Sequence, residues 1–180
     1  MQQGCTTTSI GAITAAAARC AVAAASVAAV AALGVAVSGL ADETRTALGF
    51  GFDGVERSPA EAAGIALHNA KIAGAVLLCA AITPRLTRCI RGLLDFVLAI
   101  VLLLNAAAVG IAIGAYGSRA LRALAPHALL ELAGLSLTGG AYMHARKQRV
   151  SPLVLASVGC VSGLLLVAAA ALEAYVGGTP

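Results

Sequence analysis

Charged and aromatic residues are both scarce in this 180-residue chain, at 11% and 3%, and tryptophan is absent. A soluble domain carries about 25% charged residues and needs them to cover its surface. Their shortage here, beside 60% hydrophobic residues and a mean hydropathy of +0.94, excludes a soluble globular fold. The formal net charge is +4, yet no basic cluster is interleaved with aromatics, so nucleic acid is not an expected partner. The five cysteines, Cys5, Cys20, Cys79, Cys89 and Cys160, show no CxxC or other metal spacing. That argues against a disulfide framework and against a metal centre. HExxH, GxSxG, a Walker A loop and a glycine-rich dinucleotide turn are missing as well, so no enzyme activity and no cofactor are expected.

What the chain does have is apolar length. A spanning helix needs about 20 mostly apolar residues, and such stretches occupy nearly the whole sequence. The expected fold is all-α: a polytopic transmembrane helical bundle of about five spans with short amphipathic connecting helices, forming one integral membrane domain over 1–180. The spans fall roughly at 20–40, 62–83, 93–116, 127–144 and 152–176. Residues 10–18 read as an interfacial lead-in, with Arg19 at the inner boundary. A rival reading is a signal peptide cleaved after Ala41, since Gly39 and Ala41 are both small.

Local signals mark several helix starts. Ser58 can cap, Pro59 suits the first helical position and Glu61 closes a capping box. Ser151–Pro152 repeats the device. "GSRALRALAP" reads as an amphipathic connector that Pro126 terminates, because proline has no N–H to donate in a helix interior. It either lies flat on the outer surface or dips inward as a re-entrant piece surrounded by protein. Arg85, Arg88 and Arg91 recur every three residues, which predicts a short basic helix with all three roughly on one face.

Positive charge orients the bundle. With the N-terminus inside, Arg19, Arg85, Arg88, Arg91, Arg146, Lys147 and Arg149 fall inside, against Arg45, Arg57, Arg119 and Arg122 outside. The loop 42–61 is then an acidic outer loop. The same orientation gathers His68, Asn69 and Lys71 of the second span with His127 and Glu131 of the fourth, near the outer side. Asn105 lies near the middle of the third span. Ionisable groups at such depth cost about 2.5–3.5 kcal/mol each on insertion scales, and are tolerated when they pair or face a protein interior. The expectation is an intramembrane polar cluster in which Glu131 pairs with Lys71 or His68. The competing reading has Lys71 snorkelling along its own stem and His127 sitting among head groups.

Two small-residue motifs concern packing. Gly110 and Gly114 form GIAIG, and Gly159 and Gly163 form GCVSG; either can bring helices close, inside the chain or between copies in a homodimer. Arg85, Arg88, Arg91, Arg146, Lys147 and Arg149 are candidate contacts for a cytosolic partner, or else plain topology anchors.

"ALHNAKIAG", "LLLNAAAVGIAIGAYG" and "LAPHALLELAGLSLTGG" resemble successive motifs of the stage II sporulation protein M (SpoIIM) family, over about residues 60 to 145 and loosely through the last span. Matching positions are Asn69, Asn105, Gly110, Gly114, Pro126, His127 and Glu131. Ala106 and Ala128 stand where the family usually has glycine, a departure that bears on local backbone packing. The resemblance implies a small helical membrane protein of the bacterial cytoplasmic membrane without chemistry of its own. It implies one of two roles: a subunit of an export complex that works with a separate ATP-binding-cassette ATPase, or an envelope scaffold for peptidoglycan-remodelling enzymes. The export role is the first expectation and the scaffold its alternative. An intramembrane hydrolase built on His68, His127 and Glu131 around a metal is a third.

Overall fold

The computed structural model describes residues 3–49 and 58–176, with side chains from Ile10 onward. Asp53, Glu56 and Arg57 of the expected acidic loop lie outside the described residues. Among the described residues the chain is an all-α bundle without strands. Its elements are α1 (Gln3–Ser38), α2 (Ala41–Leu48), α3 (Pro59–Ile82), a single 3-10 turn (Thr83–Arg85), α4 (Arg88–Tyr116), α5 (Ser118–Leu124), α6 (Ala128–Ala145) and α7 (Pro152–Tyr175).

Four helices are long and apolar enough to cross a membrane: α1 from Ile10, α3 with its 3-10 turn, α4 and α7. A fifth span arises if α5 and α6, bent by 63° at their junction, act as one broken span. This is compatible with a multi-pass membrane protein. The distribution of side-chain size agrees. Large apolar side chains point outward, with Val30 72%, Val37 74% and Leu164 72% exposed. The buried positions are mostly small: Ala80, Ala141, Ala169, Ala170, Thr138 and Ser162. In water this arrangement would leave the hydrophobic effect unused. In lipid it is the expected one, because helices there associate through close contact of small residues, and lipid solvates the large ones.

Helix starts follow the local chemistry. Ser58 Oγ accepts from the Glu61 N–H at 3.2 Å with Pro59 at the first helical position, and Ser151 Oγ accepts from the Val154 N–H at 3.3 Å ahead of α7. Each side chain satisfies a backbone donor that the first turn leaves without a partner. α1 ends at Gly39, whose φ of 74° lies in the left-handed region that glycine adopts at no steric cost.

Two expectations need correction. α1 is one unbroken helix of 36 residues, with no separate lead-in. Ile13 and Ala17 are buried, and Gly140 of α6 faces their backbone. One face of residues 10–18, at Ile13 and Ala17, therefore packs on α6. α1 also runs parallel to α4, with Ala28 against Gly110 and Ala32 against Gly114. That register sets Arg19 level with Val101, near the middle of α4; Arg19 is exposed and its Nε donates to the Ala15 carbonyl at 3.3 Å. The short basic helix does not form either. Thr87 is extended and caps α4, so Arg85 stays in the 3-10 turn, whereas Arg88 and Arg91 begin a new helix. Pro84 has no N–H to continue α3, and the break follows it directly.

The helices form layers. α1 lies between α4 and α6, and α6 also packs on α3 and α7. α6 holds this central place because its inward positions are small: Gly134, Ser136, Thr138, Gly140 and Ala141 are all buried. Ser162 of α7 donates to the Gly134 carbonyl at 2.7 Å, an interhelical bond that a bulkier α6 would not admit.

A candidate cleft of carboxylates and imidazoles

Glu61, Gly64, Ile65 and His68 recur at three- and four-residue intervals, so they form one face of α3. That face lines a cleft of about 490 Å³ together with Asn69, Leu124 at the end of α5, His127, Glu131 of α6 and Glu173 of α7. The turn at Pro126 delivers His127. Its backbone N–H donates to the Leu124 carbonyl at 3.2 Å, and its carbonyl accepts from Glu131 at 3.1 Å as α6 begins. One turn separates His127 from Glu131, which sets both side chains on the same side.

Within the cleft, Asn69 Nδ2 donates to Glu131 Oε1 at 2.6 Å. His127 is only 6% exposed, and its Nδ1 is buried without a hydrogen-bond partner among the described residues. Glu173 stands within electrostatic reach of both His127 and Glu131. The structure thus brings together His68, Asn69, His127 and Glu131, all singled out from sequence, and adds Glu61 and Glu173.

It does not bring in the other two. Lys71 is exposed and lies outside the cleft lining; two residues beyond Asn69 on a helix is about 200° of rotation. The acceptor expected to meet Lys71 meets the Asn69 amide instead. Asn105 is also exposed, and its Nδ2 donates to the Val101 carbonyl of its own helix at 2.7 Å.

The packing glycines divide in the same way. A side-chain carbon at Gly110 or Gly114 would collide with the α1 backbone at Ala28 or Ala32, so GIAIG serves an internal contact. Gly159 approaches Leu77, and Gly163 faces open space. Among the described residues, only Gly159 of GCVSG makes a close approach, and it meets a side chain where the GIAIG glycines meet backbone. Gly140, which sequence reading did not select, meets the α1 backbone at Ile13 and Ala17.

A second polar site occupies the opposite end of α6. Asp95 of α4 accepts from the Tyr142 hydroxyl at 2.6 Å and pairs with Arg146 at 2.8 Å. Arg146 is thereby paired within its own chain; it is exposed, as are Arg85, Arg88, Lys147 and Arg149. The Nε of Arg91 is buried without a hydrogen-bond partner. Asp95 and Glu173 each left a signal, since each is a lone carboxylate inside an apolar run, "LLDFVLAI" and "AAAALEAY".

No family model, curated protein or solved structure matches this chain. The cleft must be read on its own chemistry. Its described lining offers carboxylate, imidazole and amide groups but no hydroxyl or thiol. Among the described residues no three of His, Cys, Asp and Glu come together closely enough to hold a metal ion. Such a surface can accept hydrogen bonds and attract positive charge.

Proposed function

We propose that this chain is a non-catalytic membrane subunit of an export complex, driven by a separate ATP-binding-cassette ATPase, and that its cleft binds and does not react. One observation supports the reading above others. Asn69 of α3 lines one cleft with His127 and Glu131 at the start of α6, three positions on which the resemblance to the stage II sporulation protein M family rests. Polar groups inside an apolar bundle mark substrate or ion paths. In the proposed orientation the N-terminus is cytoplasmic in a bacterial inner membrane, the cleft opens on the outer side, and Arg85, Arg88, Lys147 and Arg149 face the cytosol, where an ATPase would dock. Lipid surrounds the bundle, and two copies make the working unit.

Affinity purification from the native host in mild detergent tests this. Recovery of an ATP-binding-cassette ATPase at stoichiometric level is the expected result, reduced when Lys147 and Arg149 are both changed to Glu. Recovery of extracellular peptidoglycan hydrolases in its place would replace the export reading with the scaffold reading.

A further inference from the structure

We propose that the cleft at Glu131 is a receptor for a primary ammonium group. This deepens the export reading by naming the chemistry of what enters the cleft, and it rests on that reading only for its biological purpose.

Among the residues lining the cleft, the ionisable ones are Glu61, Glu131, Glu173, His68 and His127; no lysine or arginine is among them. Asn69 satisfies one oxygen of Glu131 with a neutral amide, so it supplies a hydrogen bond but no countercharge. Lys71, the nearest cation in sequence, points elsewhere. Carboxylates in a low-dielectric setting are held ionised by a nearby positive charge, and among the described residues no lysine or arginine supplies one in the lining.

Hydrogen bonding gives a second and independent indication. His127 is nine-tenths buried, and its Nδ1 has no partner among the described residues. A buried polar atom without a partner costs free energy until a ligand or water meets it. A neutral imidazole with its proton on Nε2 presents Nδ1 as an acceptor. In that tautomer the vacant atom takes a donor, as do the carboxylates around it.

Both requirements select the ligand. A –NH3+ group carries positive charge and three N–H donors, which suit a lining of carboxylates and a vacant imidazole nitrogen. A bare metal ion fits poorly, because the His and Glu groups are not gathered to coordination distance. A quaternary ammonium fits poorly too. It has no N–H, and it is bound by cages of Trp, Tyr and Phe, none of which is among the described residues lining this cleft. The source of the ammonium is either a soluble amine, including a lysine side chain of exported cargo, or the head group of phosphatidylethanolamine.

The test uses the full-length subunit, purified without any ATPase, with 1,5-diaminopentane as a lysine mimic and choline as the quaternary control. Calorimetry is expected to show saturable binding of the diamine and none of choline. Glu173→Gln should weaken that binding about tenfold or more, the loss of one charge-assisted contact, and Lys71→Gln should leave it unchanged. Glu131→Gln is a second variant, read only after circular dichroism confirms its fold, because Glu131 also holds Asn69. Native mass spectrometry from nanodiscs with and without phosphatidylethanolamine separates the sources. Selective retention of that lipid, displaced by the diamine, assigns the head group; equal diamine binding in both discs assigns the soluble amine. Absence of diamine binding together with no lipid selectivity overturns the proposal, as does choline binding equal to the diamine, or an unaltered Glu173→Gln. Because the ATPase is absent from the assay, such a failure would leave the export reading standing.

Discussion

The Asn69 carboxamide donates to the Glu131 carboxylate at 2.6 Å, across 62 residues of sequence and between two helices of the bundle. The pair is part-buried, so each group would otherwise face apolar surroundings or a confined cleft. Interhelical hydrogen bonds in membrane proteins are modest, averaging about 0.6 kcal/mol with values up to about 1.7. A carboxylate acceptor belongs toward the upper end. Asn69→Ala is therefore expected to cost about 1 kcal/mol in SDS unfolding from bicelles. A double-mutant cycle with Glu131→Gln isolates the coupling. Zero coupling between the two positions would remove the contact from any account of how α3 meets α6.

Gly110 and Gly163 make a paired prediction about close packing. A carbon added at Gly110 meets the backbone of Ala28, which cannot rotate away, whereas Gly163 has open space beside it. Gly110→Ala should cost about 1–3 kcal/mol, the range for overpacking a filled contact. Gly163→Ala should change stability by about 0.5 kcal/mol or less. The same unfolding assay reads both, and equal effects would mean that α1 does not lie where it contacts α4.

How much of this was legible beforehand follows from helical phase. The capping residues Ser58 and Ser151 act within one turn of chain, so sequence alone locates the starts of α3 and α7. His127 and Glu131 are one turn apart, so their common face needs no tertiary information. Choosing Asn69 over Lys71 as the partner of Glu131 is a different matter. It requires knowing which face of α3 is inward, and α3 is apolar nearly all round, with large side chains such as Leu67 and Leu78 on its exposed side. In lipid an apolar face is no guide to the interior, because lipid-facing and protein-facing sides are both apolar. The same ambiguity hid the difference between Gly110 and Gly163, and it made the buried start of α1 look like an interfacial segment. Asp95 and Glu173 were visible as lone acids, but their partners lie on other helices.

Asp95 fastens the other end of α6, through the Tyr142 hydroxyl and the Arg146 guanidinium. Tyr142 is 4% exposed, so its hydroxyl has little access to solvent. Tyr142→Phe removes one donor and leaves the Arg146 pair, with an expected cost of about 1 kcal/mol. Asp95→Asn should cost more, since Arg146 then loses its countercharge and Tyr142 its charged acceptor. The two effects should be non-additive, because both residues belong to one network. Full additivity would show that Tyr142 and Asp95 act separately.

Orientation can be decided by labelling, because the two ends of the bundle carry different reactive positions. Glu61 sits in the first turn of α3 beside the cleft and Lys147 follows the end of α6; both are exposed. Positive charge collects on the cytoplasmic side of membrane proteins, and the Lys147 end is the richer one, with Arg85, Arg88, Arg91, Arg146 and Arg149 nearby in the fold. In a background without the five native cysteines, Glu61→Cys is expected to react with a membrane-impermeant maleimide on intact cells. Lys147→Cys should react only after the membrane is opened. The proposed docking of an ATPase needs this outcome, since nucleotide is available on one side alone. The reverse pattern would put the carboxylate cleft in the cytosol and separate it from any role at the outer surface, while leaving its affinity for an ammonium group to be judged by binding itself.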